Sequence, residues 1–330
     1  MRKIIKRLIL IFIILGSYFL FLLIESDSSQ GLKTFDIKAG QGVNEISNNL
    51  KGDGLIKNKF VLETYLWLSN SENRVKAGRY RVTKGTSTLN IIKLILAGPQ
   101  EPQIAITIPE GLDRRLIGKE LEVNGLSSSL FLDLTKEKDN YVSQFTFLED
   151  SPQKVSLEGY LFPDTYYINA QTNENDFILK TLNNFNNKLR TELREEIEKQ
   201  GQSIFAVISL ASIIEREVPQ DEDKKMIADI FLKRLKINMA LQSDATINFI
   251  TGKGMVQPTY KDLEIDSLYN TYKYSGLPPG PIANPGLSSI EAVIYPLSNN
   301  YYFFLTTKEG EVIYSIDYDE HLENKAKYLN

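Results

Sequence analysis

The residues best suited to chemistry in this 330-residue chain are carboxylates. There is no cysteine, so there is no thiol nucleophile and no thiolate metal site. The single histidine, His321, cannot build a His-cluster metal centre, and a Ser-His-Asp triad would have to use that one residue near the C-terminus. One carboxylate stands apart. In Phe205–Glu217, FAVISLASIIERE, the run from Phe205 to Ile214 is apolar or small all round, with Ser209 and Ser212 as its polar breaks, and Glu215 follows in the last turn. Such a helix is buried on most of its faces. Burial disfavours an ionised carboxylate, and the negative end of the helix dipole disfavours it further. A group that holds a proton near neutral pH and then takes one back has the behaviour of a general acid and base. The plainer alternative is a surface glutamate that marks where a buried helix emerges. Glu217, two residues on, falls on another helical face and is a poor partner for Glu215.

Three further segments combine polar side chains with backbone constraint. EGYLFPDTYY, Glu158–Tyr167, sets two acids among aromatic rings around a proline. LQSDAT, Leu241–Thr246, is a compact run of hydrogen-bonding side chains just after a helical stretch. NTYKYSGLPPGPIANPG, Asn270–Gly286, is dense in proline and glycine and therefore reads as a rigid loop. Rings with fixed polar groups suit sugars, whose C–H faces stack and whose hydroxyls need hydrogen bonds. The alternative is a structural Ω-loop with ordinary turn chemistry.

The elements that would hold these residues follow from periodicity. A helix over Ser203–Glu217 carries Glu215, with Pro219 ending it, and another over Asp221–Lys236 follows. Before them a long amphipathic segment, Asn175–Gln200, is expected to start from Thr172 as N-cap. Strand Gln103–Ile108 runs into Pro109-Glu110-Gly111, and helices are expected at Leu112–Val123 and Ser129–Lys136. The chain closes with a hairpin, Tyr301–Thr306 and Glu311–Ile316, and a terminal helix from Asp319. Nearer the start, a strand at Phe35 and Ile37, helices at Val43–Leu50 and Lys59–Leu68, a strand at Gly78–Val82 and a helix at Thr88–Ala97 form a smaller group. Helices and strands that mix without alternating indicate an α+β fold.

The N-terminus is basic (Arg2, Lys3, Lys6, Arg7) and leads into the apolar run Leu8–Ile24. At ~1.5 Å per residue this run reaches about 25 Å, near the lower limit for crossing a bilayer. The flanking charges place residues 1–7 in the cytoplasm. A cleaved signal peptide is the rival, but no Ala-x-Ala site follows, and the missing cysteine excludes lipoprotein processing. Without its four leading basic residues the formal charge of −4 becomes −8, and an acidic surface argues against nucleic acid as a partner. The expected organisation is a cytoplasmic stub (1–7), a transmembrane helix (8–24), a linker (25–33), a small unit (34–98) and a larger mixed α+β unit (102–330).

The ordered set IPEGL (Ile108–Leu112), LEGYLFPDTY (Leu157–Tyr166), LASIIERE (Leu210–Glu217), LQSDAT and NTY…GLPPGPIANPG resembles the endolytic murein transglycosylase family, also called MltG or YceG-like. The strand–helix–helix–strand order of the small unit, with its IKAGQGVNEIS opening, is similar to a LysM-like glycan-binding module; a plain spacer is the alternative. Ser315 and His321 sit where the family's C-terminal pattern has a serine and a histidine. Lys233 and Leu322 stand where the family often has asparagine. The resemblance implies a lyase of the bacterial cytoplasmic membrane, with its catalytic domain outside, that cuts the MurNAc-β-1,4-GlcNAc bond and leaves 1,6-anhydro ends. It implies Glu215 as the essential acid and base, and Glu158, Asp164, Tyr166, Gln242, Ser243, Asp244, Asn270 and Tyr272 as cleft-lining residues. It implies no cofactor and no metal, peptidoglycan strands as substrate, and work close to peptidoglycan synthase complexes. A hydrolase using water and Asp244 or Glu158 as second acid, and a non-catalytic wall-binding scaffold, are the competing classes.

Overall fold

The computed structural model describes residues 2–26, 31–99, 103–254 and 258–329. Of the expected linker at 25–33, residues 27–30 lie outside the described residues, as does Pro102 at the expected start of the larger unit. The chain divides into two compact units, Met1–Pro102 and Gln103–Asn330.

The first unit contains α1 (Arg2–Ile24), β1 (Leu32–Ile37), α2 (Val43–Gly52), α3 (Lys59–Leu68), β2 (Gly78–Thr83) and α4 (Thr88–Ala97). β1 and β2 pair antiparallel with Phe35 opposite Tyr80, and those two rings stack at 5.2 Å. Period-2 alternation turns Phe35, Ile37, Tyr80 and Val82 onto a core shared with Leu62, Leu66, Ile91 and Ile95. Asn58 and Ser87 cap α3 and α4 by accepting from backbone N–H groups of their first turns. From Ile4 to Ile24, α1 is long and apolar enough to cross a membrane, and a signal sequence would meet the same test. Its last turns belong to the unit's core: Leu23 is buried and Phe19 and Leu22 pack beside it. Glu25 then pairs with Lys57 at 2.6 Å.

The second unit begins with β3 (Ile104–Thr107), α5 (Arg114–Val123), α6 (Ser128–Leu134) and β4 (Thr165–Ile168). β3 and β4 pair antiparallel with Ile106 opposite Tyr166. Next come α7 (Glu174–Lys188), α8 (Thr191–Lys199), α9 (Ile204–Ile214), α10 (Asp221–Lys236), α11 (Asp244–Thr251), α12 (Tyr260–Leu263) and α13 (Leu287–Ile294). A hairpin, β5 (Phe303–Thr306) with β6 (Val312–Ser315), and α14 (Tyr318–Tyr328) complete the unit. The fold is mixed α+β, as expected. At its centre α9 is buried from Val207 to Ile214 and packs against α10 and α13, which also pack on each other.

Three expectations need correction. The segment Asn175–Gln200 is two helices, not one. It breaks at Leu189, whose ψ of 71° leaves helical geometry, and the Arg194 guanidinium satisfies the freed Leu189 carbonyl at 2.7 Å. Its N-cap is Asn173, not Thr172, in a reciprocal capping box with Asp176. Finally, α9 stops at Ile214, before Pro219 can act, and Glu215 is its C-cap.

A buried carboxamide ties the loops together. Asn284 Oδ1 accepts from the N–H groups of Gly159 and Leu161, both at 2.9 Å, and its Nδ2 donates to Leu112 O and Glu158 Oε1, both at 2.9 Å. Glu158 also accepts from the Arg114 N–H through both oxygens, at 3.1 and 3.0 Å. Burial pushes its carboxyl up to about 8, although the Arg114 N–H pulls the other way.

Two measurements follow from this knot. Asn284→Ala strands several buried polar groups, and at about 1–3 kcal/mol for each it should cost roughly 3 kcal/mol or more in urea unfolding; a loss below about 1 kcal/mol would mean that water replaces the amide. The raised proton affinity of Glu158 makes the folded chain keep a proton that the unfolded chain releases near pH ~4.3. Stability should therefore fall as pH rises from there toward 8. Glu158→Gln should lose less stability between pH 5 and pH 8 than the unaltered chain, and an equal loss in both would refute the assignment.

Candidate active site

Glu215 sits where α9 turns away from the core. Its side chain is 7% exposed, and the Lys224 side chain from the first turn of α10 beside it is 2% exposed. Lys224 Nζ lies 3.3 Å from Glu215 Oε1 and 3.5 Å from Oε2, and donates to Ser288 Oγ at 2.8 Å. The start of α13 supplies two more donors to Oε2: the Gly286 N–H at 2.9 Å and Ser289 Oγ at 2.7 Å. Burial and the helix terminus are thus only part of this carboxylate's environment. A buried ammonium and two fixed hydrogen-bond donors face it as well, and breaking such a pair from one side costs about 3–5 kcal/mol.

A second carboxyl flanks the first. Glu110, in the turn after β3, is exposed as a residue, but its carboxyl lies against Gly286; that partial shielding from water, and then the charge of Glu215, raise its proton affinity, with Lys224 opposing. It lies so close to Gly286 that a Cβ at 286 would stand 1.9 Å from Glu110 Oε1. Gly111, at φ +78°, lets the same turn pass under Glu215, where a Cβ would meet Glu215 Cγ at 3.6 Å and Arg216 Cδ at 3.3 Å. Arg216 closes the approach by donating to Gly111 O at 2.9 Å.

LQSDAT and the Asn270 loop form a second network. Gln242, at φ +55°, donates its N–H to Thr271 O at 3.0 Å and leaves its side chain exposed. The Ser243 N–H donates to Thr271 Oγ1 at 3.0 Å, and Ser243 Oγ donates to the half-buried Glu217. Burial pushes Glu217 up to about 7, with the Ser243 hydroxyl pulling it down. Tyr272 donates to Asp244 Oδ1 at 2.5 Å; burial raises Asp244, opposed by that bond and by Lys325. Arg234, lowered to about 10 by burial, donates to Tyr302 O and Leu241 O at 2.7 and 2.6 Å. Asn270 is wholly buried and braces the loop through Leu263 O, Ile265 O and the Tyr272 N–H. His321 stacks on Phe303 at 5.4 Å, and Ser315 Oγ accepts from Asn324.

The remaining expected residues are placed elsewhere. Asp164 and Tyr166 share the Asn184 amide at 2.9 and 3.1 Å beside α7, and that bond holds Asp164 below the usual carboxylate range. Glu158 belongs to the Asn284 knot. The expected residues thus fall into three hydrogen-bonded groups around Glu158, Asp164–Tyr166 and Ser243–Asp244–Tyr272, each apart from the bonds made by Glu215 itself. Sequence reasoning missed Lys224, Ser288, Ser289, Gly286, Glu110, Asn284 and Arg234. Helix phase held a signal for two of them: Lys224 and Arg234 share the buried face of α10 with Ile227, Ala228 and Phe231. Among the described residues no group of three acidic or histidine side chains converges to hold a metal ion.

Known proteins are similar to this chain in sequence and fold. The chain is 34% identical over 318 residues to an endolytic murein transglycosylase of Bacillus subtilis, covering 93% of this chain and 87% of that protein. It is 33% identical over 330 residues to an endolytic murein transglycosylase of Streptococcus pneumoniae strain D39, covering 92% of this chain and 59% of the longer relative. The crystal structure of a putative YceG-like protein from Listeria monocytogenes superposes with a TM-score of 0.60 at 33% identity, over 89% of this chain and 99% of that one. The model of the YceG-like family matches residues 35–327, and the chain belongs to that family.

Proposed function

We propose that the chain is a membrane-anchored endolytic lytic transglycosylase acting on peptidoglycan, with Glu215 as its proton donor and acceptor. The observation that carries this reading is Glu215 itself. It is a nearly buried carboxyl at the end of an apolar helix, fixed by Lys224, Ser289 and the Gly286 N–H, in a chain whose relatives are named for this activity.

Protonated Glu215 gives its proton to the glycosidic oxygen between MurNAc and GlcNAc, and the C1–O bond breaks. The substrate's 2-acetamido carbonyl stabilises C1 from the opposite face, so no second enzyme carboxylate is required. Glu215 as carboxylate then takes the proton of the sugar's own O6 hydroxyl, and O6 attacks C1 to close a 1,6-anhydro ring. Both nucleophiles belong to the substrate, and their fixed proximity supplies the effective molarity. The exposed Gln242 side chain and the Asp244–Tyr272 pair are the cleft groups best placed to meet sugar hydroxyls. Asn270 and Glu158 act by bracing the loops.

The apolar α1 supports an uncleaved anchor in the cytoplasmic membrane, with residues 1–7 inside and the second unit outside. Anchoring would set the enzyme beside nascent strands and their synthases. The β1–α2–α3–β2 order supports a LysM-like role for the first unit in holding glycan. A hydrolase remains the second reading because a second carboxyl, Glu110, is near enough for its charge to act on Glu215, whereas Asp244 and Glu158, expected as the second acid, are bonded to Tyr272 and Asn284. Product mass separates the two, since hydrolysis adds the elements of water to the anhydro end.

Glu215→Gln should reduce anhydro-product formation by ~10² or more, because an amide can neither donate nor accept the catalytic proton. The same change leaves Lys224 without its counter-charge and should lower stability by about 3 kcal/mol. Near-normal turnover by the folded variant would remove Glu215 from the mechanism. Intact mass of the protein extracted from membranes should include residues 1–24, whereas a mature N-terminus near residue 27 would replace the anchor with a signal sequence. Deleting residues 34–98 should raise KM and leave kcat nearly unchanged; a collapse of kcat in a folded protein would place the first unit in the catalytic step.

A further inference from the structure

We propose that Lys224 is a positioning residue for this reaction: it orients the Glu215 carboxyl and supplies the positive charge against which that group releases and regains its proton. The inference rests on Glu215 acting as acid and base. Oε2 already accepts from the Gly286 N–H and from Ser289 Oγ, so Oε1, which among the described residues meets only Lys224 at 3.3 Å, is the oxygen left to exchange a proton with substrate. Lys224 cannot drift from this place, because Ser288 Oγ holds its Nζ at 2.8 Å and its side chain is almost fully enclosed.

An ammonium so enclosed would ordinarily be excluded from a protein interior unless paired. Here the partner is the reacting group, and a structural ion pair would gain nothing from being placed at that one carboxylate. The charged groups that bear on Glu215 are Lys224 from α10, paired with it directly, and Glu110 from the turn after β3, which also feels Asp221 of α10; Arg216, next in the chain, turns to the Gly111 carbonyl. The start of α13 contributes only neutral donors, Gly286 and Ser289. Lys224 and Glu110 therefore act on Glu215 with opposite sign. Removing a positive neighbour makes a carboxyl bind its proton more tightly, and removing a negative one makes it bind less tightly.

The test is the pH dependence of kcat/KM for anhydro-product formation from purified glycan strands by the full chain. A general acid must carry its proton, so activity falls above its titration range and forms the alkaline limb of the profile. Lys224→Met should move that limb upward by about one to three pH units, the size expected for loss of an opposite charge at this distance. Lys224→Arg should return it toward its original position. Glu110→Gln, at an exposed site where folding is not at stake, should move it downward. A lower rate at every pH with unmoved limbs in Lys224→Met, or in Glu110→Gln should the first variant fail to fold, overturns the inference and leaves Lys224 a structural residue. Absence of anhydro product from the unaltered chain is a separate outcome and would instead sink the transglycosylase reading.

Discussion

The carboxamide of Asn284 is the constraint on which the second unit's geometry rests. Its two acceptor and two donor capacities are all used, on backbone or carboxyl groups of segments more than a hundred residues away in sequence. The Gly111 N–H donates to the Asn284 backbone carbonyl at 2.9 Å, and the Ile282 N–H, two residues before Asn284, donates to Ser212 Oγ of α9 at 3.0 Å. Three segments and the central helix are thereby fixed to one another. A polar network that is fully satisfied in a low-dielectric interior is stiff, and loosening one member strands the others. The start of α13 follows only two residues after Asn284, so the donors that face Glu215 inherit that stiffness.

The site opposes two tendencies of its own helix. Apolar packing drives α9 into the core, where a carboxylate is poorly solvated, yet in the proposed reaction Glu215 would change charge there. The solution is local compensation by Lys224 and by dipoles already pointing at Oε2, which need not reorganise when charge develops. Such an arrangement adds little to stability, since desolvating two ions offsets most of their attraction. Its value lies in orientation. The Glu217–Ser243 contact on the other side of the same turn shows that two glutamates two residues apart can serve unrelated networks.

Much of this architecture was legible in the sequence because it depends on local pattern. The bounds of α3, α4 and α10 follow from periodicity and caps, and the late hairpin from its Glu309-Gly310 turn. What could not be read depends on tertiary context. Leu189 breaks α7 from α8 because it and Leu193 are both buried there, and no glycine or proline announces it. β4 has only four residues and exists because β3 lies opposite. Glu215 was visible as a lone acid after an apolar run, whereas its partner Lys224 stands in a run of charges, DEDKK, where only helix phase separates it from Lys225. Glu110, Gly286 and Asn284 lay inside motifs already singled out, but their roles depend on three loops meeting in space.

The burial of Leu23 has a mechanical consequence for the first unit. A helix joined to a domain by a loose tether lets that domain wander, and the tether's length then sets its reach. Here the last turns of α1 are set into the unit's own core and braced by the Glu25–Lys57 pair. The joint is a clamped mount, and the first unit would share the tilt and rotation of the helix as one body. With α1 in a bilayer, helix tilt would become a lever that aims the first unit, and membrane thickness would be felt directly in the angle at which that unit is presented.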